Sequence, residues 1–128
     1  MITLKTLPQA TAQEVFDQVA NHLLTQNTHS KQVDGPMCLY RSKSEKDGST
    51  LKCAAGCLIA DDEYLTIFEA VNWSDVVKDN PKIVPDTHSD LIRSLQIVHD
   101  SHVPSRWKNR LKLVADCYKL NTDVLNNY

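Results

Sequence analysis

Four cysteines and one His-Asp pair are the residues of this chain whose types and spacing could do chemistry. Cys53 and Cys57 are four apart, so on a helical turn both thiols share a face, and Cys38 on a partner strand can approach them. Cys38, Cys53 and Cys57 are therefore a candidate thiolate metal set, with a histidine as fourth ligand. Structural zinc sites pair tight ligand knuckles on both sides of the ion, and this chain has only one such pair. Buried cysteine acting as a small apolar side chain is the expected alternative. Cys57 with His99 and Asp100 composes a nucleophile, base and orienting group on paper, but a thiol among apolar neighbours lacks the cation or dipole that would activate it.

His99-Asp100 also fits the ligand pair of a metal-dependent phosphohydrolase of the HD type, with His88 upstream and Asp116 or Asp123 downstream completing the set. The competing reading is a helix C-terminus, where His99 and His102 meet the last carbonyls. Arg41, Lys43, Lys46 and Lys52 precede the acidic run Asp61-Asp62-Glu63. That pattern suits a small anionic ligand, with Tyr40, Tyr64 or Trp73 as stacking faces. Tyr40, Arg41, Lys52, Asp61, Tyr64 and Trp73 are accordingly the candidate ligand or partner site, surface ion pairing being the plainer account. No Walker loop, dinucleotide glycine motif or nucleophile elbow is present, so no cofactor is expected.

These groups need elements to hold them. Thr11 and Glu14 form a capping-box pair at the start of a helix running to Gln26, with Val15, Phe16, Val19, Ala20, Leu23 and Leu24 at helical period. Residues 27–36 read as a loop. Met37 to Arg41 and Thr50 to Cys53 read as two strands joined through Asp47-Gly48, with Cys38 and Tyr40 on one face. Ala54 to Ile59 reads as a buried helical turn, and Ser74 as the cap of a short helix over 75–78. Thr87 or Ser89 should cap a helix carrying Leu91, Ile92, Leu95 and Val98, and Pro104 should open another carrying Trp107, Leu111, Val114, Ala115 and Tyr118. The fold class predicted is α+β, a mainly helical single domain with one short β-hairpin packed on about three principal helices.

Composition narrows the function classes. At 128 residues the chain has the length of one domain. A net charge of −2 gives no general reason to bind nucleic acid or an anionic membrane. Arg106, Lys108, Arg110 and Lys112 alternate around a helix rather than forming a stripe. No apolar run is long enough for a membrane span, and the first residues lack the apolar core of a signal peptide, so a cytoplasmic protein with reduced thiols is expected.

Cys38-Leu39-Tyr40-Arg41, the run Lys52 to Ile59, Asp62-Glu63-Tyr64, Glu69, Leu95 to Asp100, Trp107 and Leu111 together resemble a family of small uncharacterised proteins of tailed phages and bacterial prophages. The likeness spans about Cys38 to Leu120. That family often has proline after the Leu-Ile pair and glycine after the glutamate, where this chain has Ala60 and Ala70. The resemblance carries no established activity. It implies a small cytoplasmic accessory protein of a phage or prophage, non-enzymatic, that binds a host protein or a small signalling molecule, including in counter-defence. An HD-type hydrolase and a virion or assembly component are the alternatives. Gly56, amid Cys53, Ala54, Ala55 and Cys57, is expected to let the helix capped at Thr11 approach closely.

Overall fold

Thr11 starts the first helix by both arms of a capping box. Its hydroxyl accepts from the Glu14 amide, and the Glu14 carboxylate accepts from the Thr11 amide. The helix, α1, spans Ala12–Gln26 and buries Val15, Phe16, Val19, Ala20 and Leu23, ending at Asn27 in the left-handed conformation. A computed structural model describes all 128 residues. The fold is α+β: α1, a two-stranded antiparallel hairpin of β1 (Arg41–Lys43) and β2 (Thr50–Lys52), then α2 (Trp73–Asp79), α3 (Ser89–Ser101) and α4 (Pro104–Tyr118), with short 3-10 turns between.

The second strand begins at Thr50 as the sequence indicates, but the first lies further along the chain than Met37 to Arg41. Arg41 pairs with Lys52, Ser42 with Leu51 and Lys43 with Thr50. Met37 to Tyr40 stays outside the ladder because other groups satisfy it. Cys38 makes an isolated bridge with Lys31, and the Leu39 amide donates to the Ser30 carbonyl. The Tyr40 and Arg41 amides both donate to the Glu69 carboxylate, at 2.8 and 3.3 Å. A side chain nearly thirty residues away thus replaces a strand neighbour, which pattern reading does not foresee.

Two helix starts also differ from expectation. Asn72, not Ser74, caps α2 by accepting from the Asp75 amide, which places Trp73 in the first turn. At α3 the N-cap is His88 at φ +55, with no side-chain cap from Thr87 or Ser89. α4 opens on Pro104, as its fixed φ favours.

One continuous core joins these elements, built on Phe16, Phe68, Trp73 and Trp107 with leucines from α1, α3 and α4. The run Ala54 to Ile59 is wholly buried at its centre as a 3-10 turn over Ala55–Leu58. α1 packs on this turn, the Gln18 side chain donating to the Cys57 carbonyl at 3.2 Å, but the tightest neighbour of Gly56 is another segment. A Cβ on it would sit 2.2 Å from the Tyr40 carbonyl oxygen, so the close neighbour is the backbone entering the hairpin.

Candidate functional site

α3 delivers His99 into the core and leaves Asp100 at the surface, since consecutive helical residues point about 100° apart. The loop before the hairpin brings Cys38 to them. The donor atoms of Cys38, His99 and Asp100 lie within 4.8 Å of one another. Residues from two separate sequence candidates, the thiolate set and the His-Asp pair, therefore meet in one cluster.

Hydrogen bonding decides its chemistry. The Ser30 amide donates to His99 Nε2 at 2.9 Å, so that nitrogen must present its lone pair and the proton sits on Nδ1. Nδ1–H then donates to Asp100 Oδ1 at 2.7 Å. This is a bond from a neutral imidazole rather than an ion pair. Binding a metal through Nδ1 would move the proton to Nε2, directly against the Ser30 amide, so the imidazole does not fit a metal ligand's role. The His99 ring is further fixed by stacking on Trp107, with centroids 5.5 Å apart, and by the edge of His29 at 5.3 Å.

Cys38 is equally constrained. Burial and, after it, the negative charge of Asp100 push its thiol up to about 11. It is a protonated thiol at neutral pH, not a nucleophile. Neither His99 nitrogen is free to take the thiol's proton, since Nε2 accepts from the Ser30 amide and Nδ1 donates to Asp100.

The other proposed ligands go elsewhere. Cys53 and Cys57 do not join Cys38 in any donor cluster. Cys53 Sγ accepts from the Gly56 amide at 3.2 Å, and Cys57 donates to the Ala54 carbonyl at 3.1 Å. Burial raises both thiols, Cys57 to about 12, which is the behaviour of small packing side chains. His88 donates to the Ala10 carbonyl at 2.7 Å, and neither Asp116 nor Asp123 approaches the cluster.

Of the six candidate binding residues, four assemble. Arg41 pairs with Asp61 at 2.5 Å, Lys52 lies 3.8 Å from the same carboxylate, and the Arg41 guanidinium covers the Tyr64 ring at 5.1 Å. These charges hold Asp61 below the usual carboxylate range, the Arg41 bond most of all. Tyr40 and Trp73 are buried instead of offering stacking faces. The Tyr40 hydroxyl donates to the Val71 carbonyl at 2.6 Å, and Trp73 packs beside Tyr40 with ring centroids 6.5 Å apart. Glu69 binds this cluster from below, accepting the Tyr64 hydroxyl at 2.6 Å as well as the two amides. An anion entering here would have to displace Asp61 from Arg41.

A broad concavity lies alongside the hairpin. A groove of about 1050 Å³ runs between the polar face of α1, the loop after it and the hairpin. Lys31, Lys43, Lys46 and Lys52 line it together with His22 and His29, and Glu45 and Asp47 are the only acids. Lys31, Lys43 and Lys46 have no carboxylate partner. No aromatic carbocycle or indole lines the groove. Its floor is held by Gln26, whose side-chain amide accepts from the Lys52 amide at 3.0 Å and donates to the Lys52 carbonyl at 2.9 Å. That pairing imitates a third strand and blunts the β2 edge. His22 also donates to the Lys52 carbonyl at 2.8 Å. Burial lowers the pKa of His22 and of His29, so both rings are neutral at pH 7.

The sequence points to the hairpin lysines but not to Lys31, His22 or Gln26. The available signal was the polar stripe Gln18, Asn21, His22, Thr25 and Gln26, which repeats at helical spacing opposite the core face of α1. No helix is long and apolar enough to cross a membrane. No protein-family model matches the chain, and no curated protein or solved structure matches it significantly.

Proposed function

We infer that the protein is a non-enzymatic binding domain of a phage or prophage, and that it takes a small phosphorylated signalling molecule in the groove between α1 and the hairpin. The observation that carries the ligand class is the convergence of Lys31, Lys43 and Lys46, none of them neutralised, on one concave surface lined mainly by polar residues. Ammonium groups act as movable point charges suited to phosphate oxygens. Thr25, Thr28, Ser44 and Ser49 add hydroxyls along the same walls. The non-enzymatic part rests on the Cys38, His99 and Asp100 cluster, where both ring nitrogens are engaged and the thiol stays protonated. The phage context rests on the resemblance of the hairpin, central turn and α3 motifs.

Recognition in such a groove depends on charge more than on an aromatic base. Calorimetric titration with inorganic tripolyphosphate and with ATP tests this. Both should bind with affinities within a few-fold of each other, and Lys43→Glu with Lys46→Glu should weaken both by about tenfold or more, equivalent to about 1.4 kcal/mol. Raising sodium chloride from 50 to 300 mM should weaken them as screening predicts. Absence of heat with either probe at low salt, or binding indifferent to the paired substitution, would overturn the reading.

A further inference from the structure

A second pocket, of about 430 Å³, opens beside the Cys38, His99 and Asp100 cluster. Cys38, Tyr40, Trp73, Arg93, Gln96 and Asp100 line it. Its volume falls within the range of small-molecule sites, roughly 300–1000 Å³.

Three features of its lining are incomplete. Asp100 collects bonds only from neutral donors, His99 Nδ1 at 2.7 Å and Gln96 Nε2 at 3.2 Å among them, with the Cys38 thiol beside it, and no lysine or arginine pairs with it. Arg93 has no carboxylate partner, its one bond being a 3.4 Å contact with the Ser74 hydroxyl. Trp73 is fully buried, yet its Nε1–H has no acceptor. Buried donors of this kind are nearly always paired in folded proteins. Arg93 and Asp100 are seven residues apart on α3, so they stand on one face about 10 Å apart along the axis. The pocket thus offers one uncompensated cation and one uncompensated anion at its two ends, with the buried Trp73 bordering it.

We propose that this pocket binds a small zwitterion with well-separated charges, of the ω-amino-acid class, its ammonium on Asp100 and its carboxylate on Arg93. The neutral donors around Asp100 hold the carboxylate in place without cancelling its charge, so an incoming ammonium completes it. The ligand's carboxylate supplies acceptors to the Arg93 guanidinium, which has no carboxylate of its own. A simple amine or a simple acid would leave one end open, and the difference is the basis of selection. The site is separate from the lysine groove and stands without it.

The test uses the two indole N–H signals of the protein in proton–nitrogen correlation spectra. Trp107 Nε1–H is already bonded to the His102 carbonyl at 2.9 Å and serves as the internal reference. Titration with 6-aminohexanoate should move the Trp73 signal saturably and leave that of Trp107 in place. Hexylamine and hexanoate, each carrying one of the two charges, should bind at least about tenfold more weakly. Arg93→Gln, at an exposed position, and Asp100→Asn, which keeps an acceptor for His99, should each weaken 6-aminohexanoate to a similar degree. No movement of the Trp73 signal with 6-aminohexanoate, equal affinity for hexylamine or hexanoate, or unchanged binding in Arg93→Gln would each overturn the proposal.

Discussion

Replacing Gly56 by alanine should destabilise the fold by about 2–3 kcal/mol, and the sign is as informative as the size. The new Cβ would lie 2.2 Å from the Tyr40 carbonyl oxygen, where even a weak C–H···O contact needs roughly 3.3 Å. The backbone at Tyr40 must therefore retreat by about 1 Å. It is held on every side: its carbonyl accepts from the Cys53 amide at 3.3 Å, its amide donates to Glu69, and its hydroxyl donates to Val71. Overpacking of this kind costs about 1–3 kcal/mol, and losing the Cys53 bond adds about 1. Against this, alanine restricts the unfolded chain and returns about 0.4–1 kcal/mol, because Gly56 does not occupy a positive-φ conformation. Urea denaturation of wild type and Gly56→Ala measures the balance. Gly48→Ala is the control, since Gly48 sits at φ +72 with nothing near its Cβ position, and should lose only about 1–2 kcal/mol through backbone conformation. If Gly56→Ala matched or exceeded wild-type stability, the close approach of the hairpin entry to the central turn would be wrong.

Four further outcomes are expected. Glu69→Ala removes the acceptor of the Tyr40 and Arg41 amides and the Tyr64 hydroxyl, and should lower stability by about 2–4 kcal/mol in the same denaturation assay. Ala70 sits at φ +63, so Ala70→Gly should stabilise by up to about 1 kcal/mol, an effect visible as a raised denaturation midpoint. His22 has a pKa depressed by burial, so its contribution is intact above the unfolded value of about 6.5 and is lost as pH falls through the lower folded value. Stability measured from pH 7 to pH 5 should therefore fall, and fall less steeply in His22→Gln. Iodoacetamide at pH 7.5 should label exposed Cys117 first, Cys38 much more slowly because its thiol is pushed up to about 11, and Cys53 and Cys57 only on unfolding, as peptide mass mapping would record.

What could be read from the chain was what local rules govern. Thr11 and Glu14 announce α1, Pro104 announces α4, and the small residues of Ala54 to Ile59 announce a buried turn. What escaped depends on groups distant in sequence. The strand start at Arg41 is set by Glu69, and the α3 start by a left-handed His88 tied to the Ala10 carbonyl. The meeting of Cys38 with His99 and Asp100 is a long-range contact, and only the Ser30 amide reveals which nitrogen carries the proton. Trp73 looked like a stacking face because an aromatic beside polar residues suits a rim, yet its capping residue is Asn72, which turns it into the core.

The lysine groove is the centre of the account, and amide chemical-shift mapping with inorganic tripolyphosphate tests it most directly. Saturable shifts should concentrate at His22, Gln26, Lys31, Lys43 and Lys46, with the Arg41 and Asp61 cluster little changed. Shifts centred on Arg41 and Tyr64, or none anywhere at low salt, would contradict it.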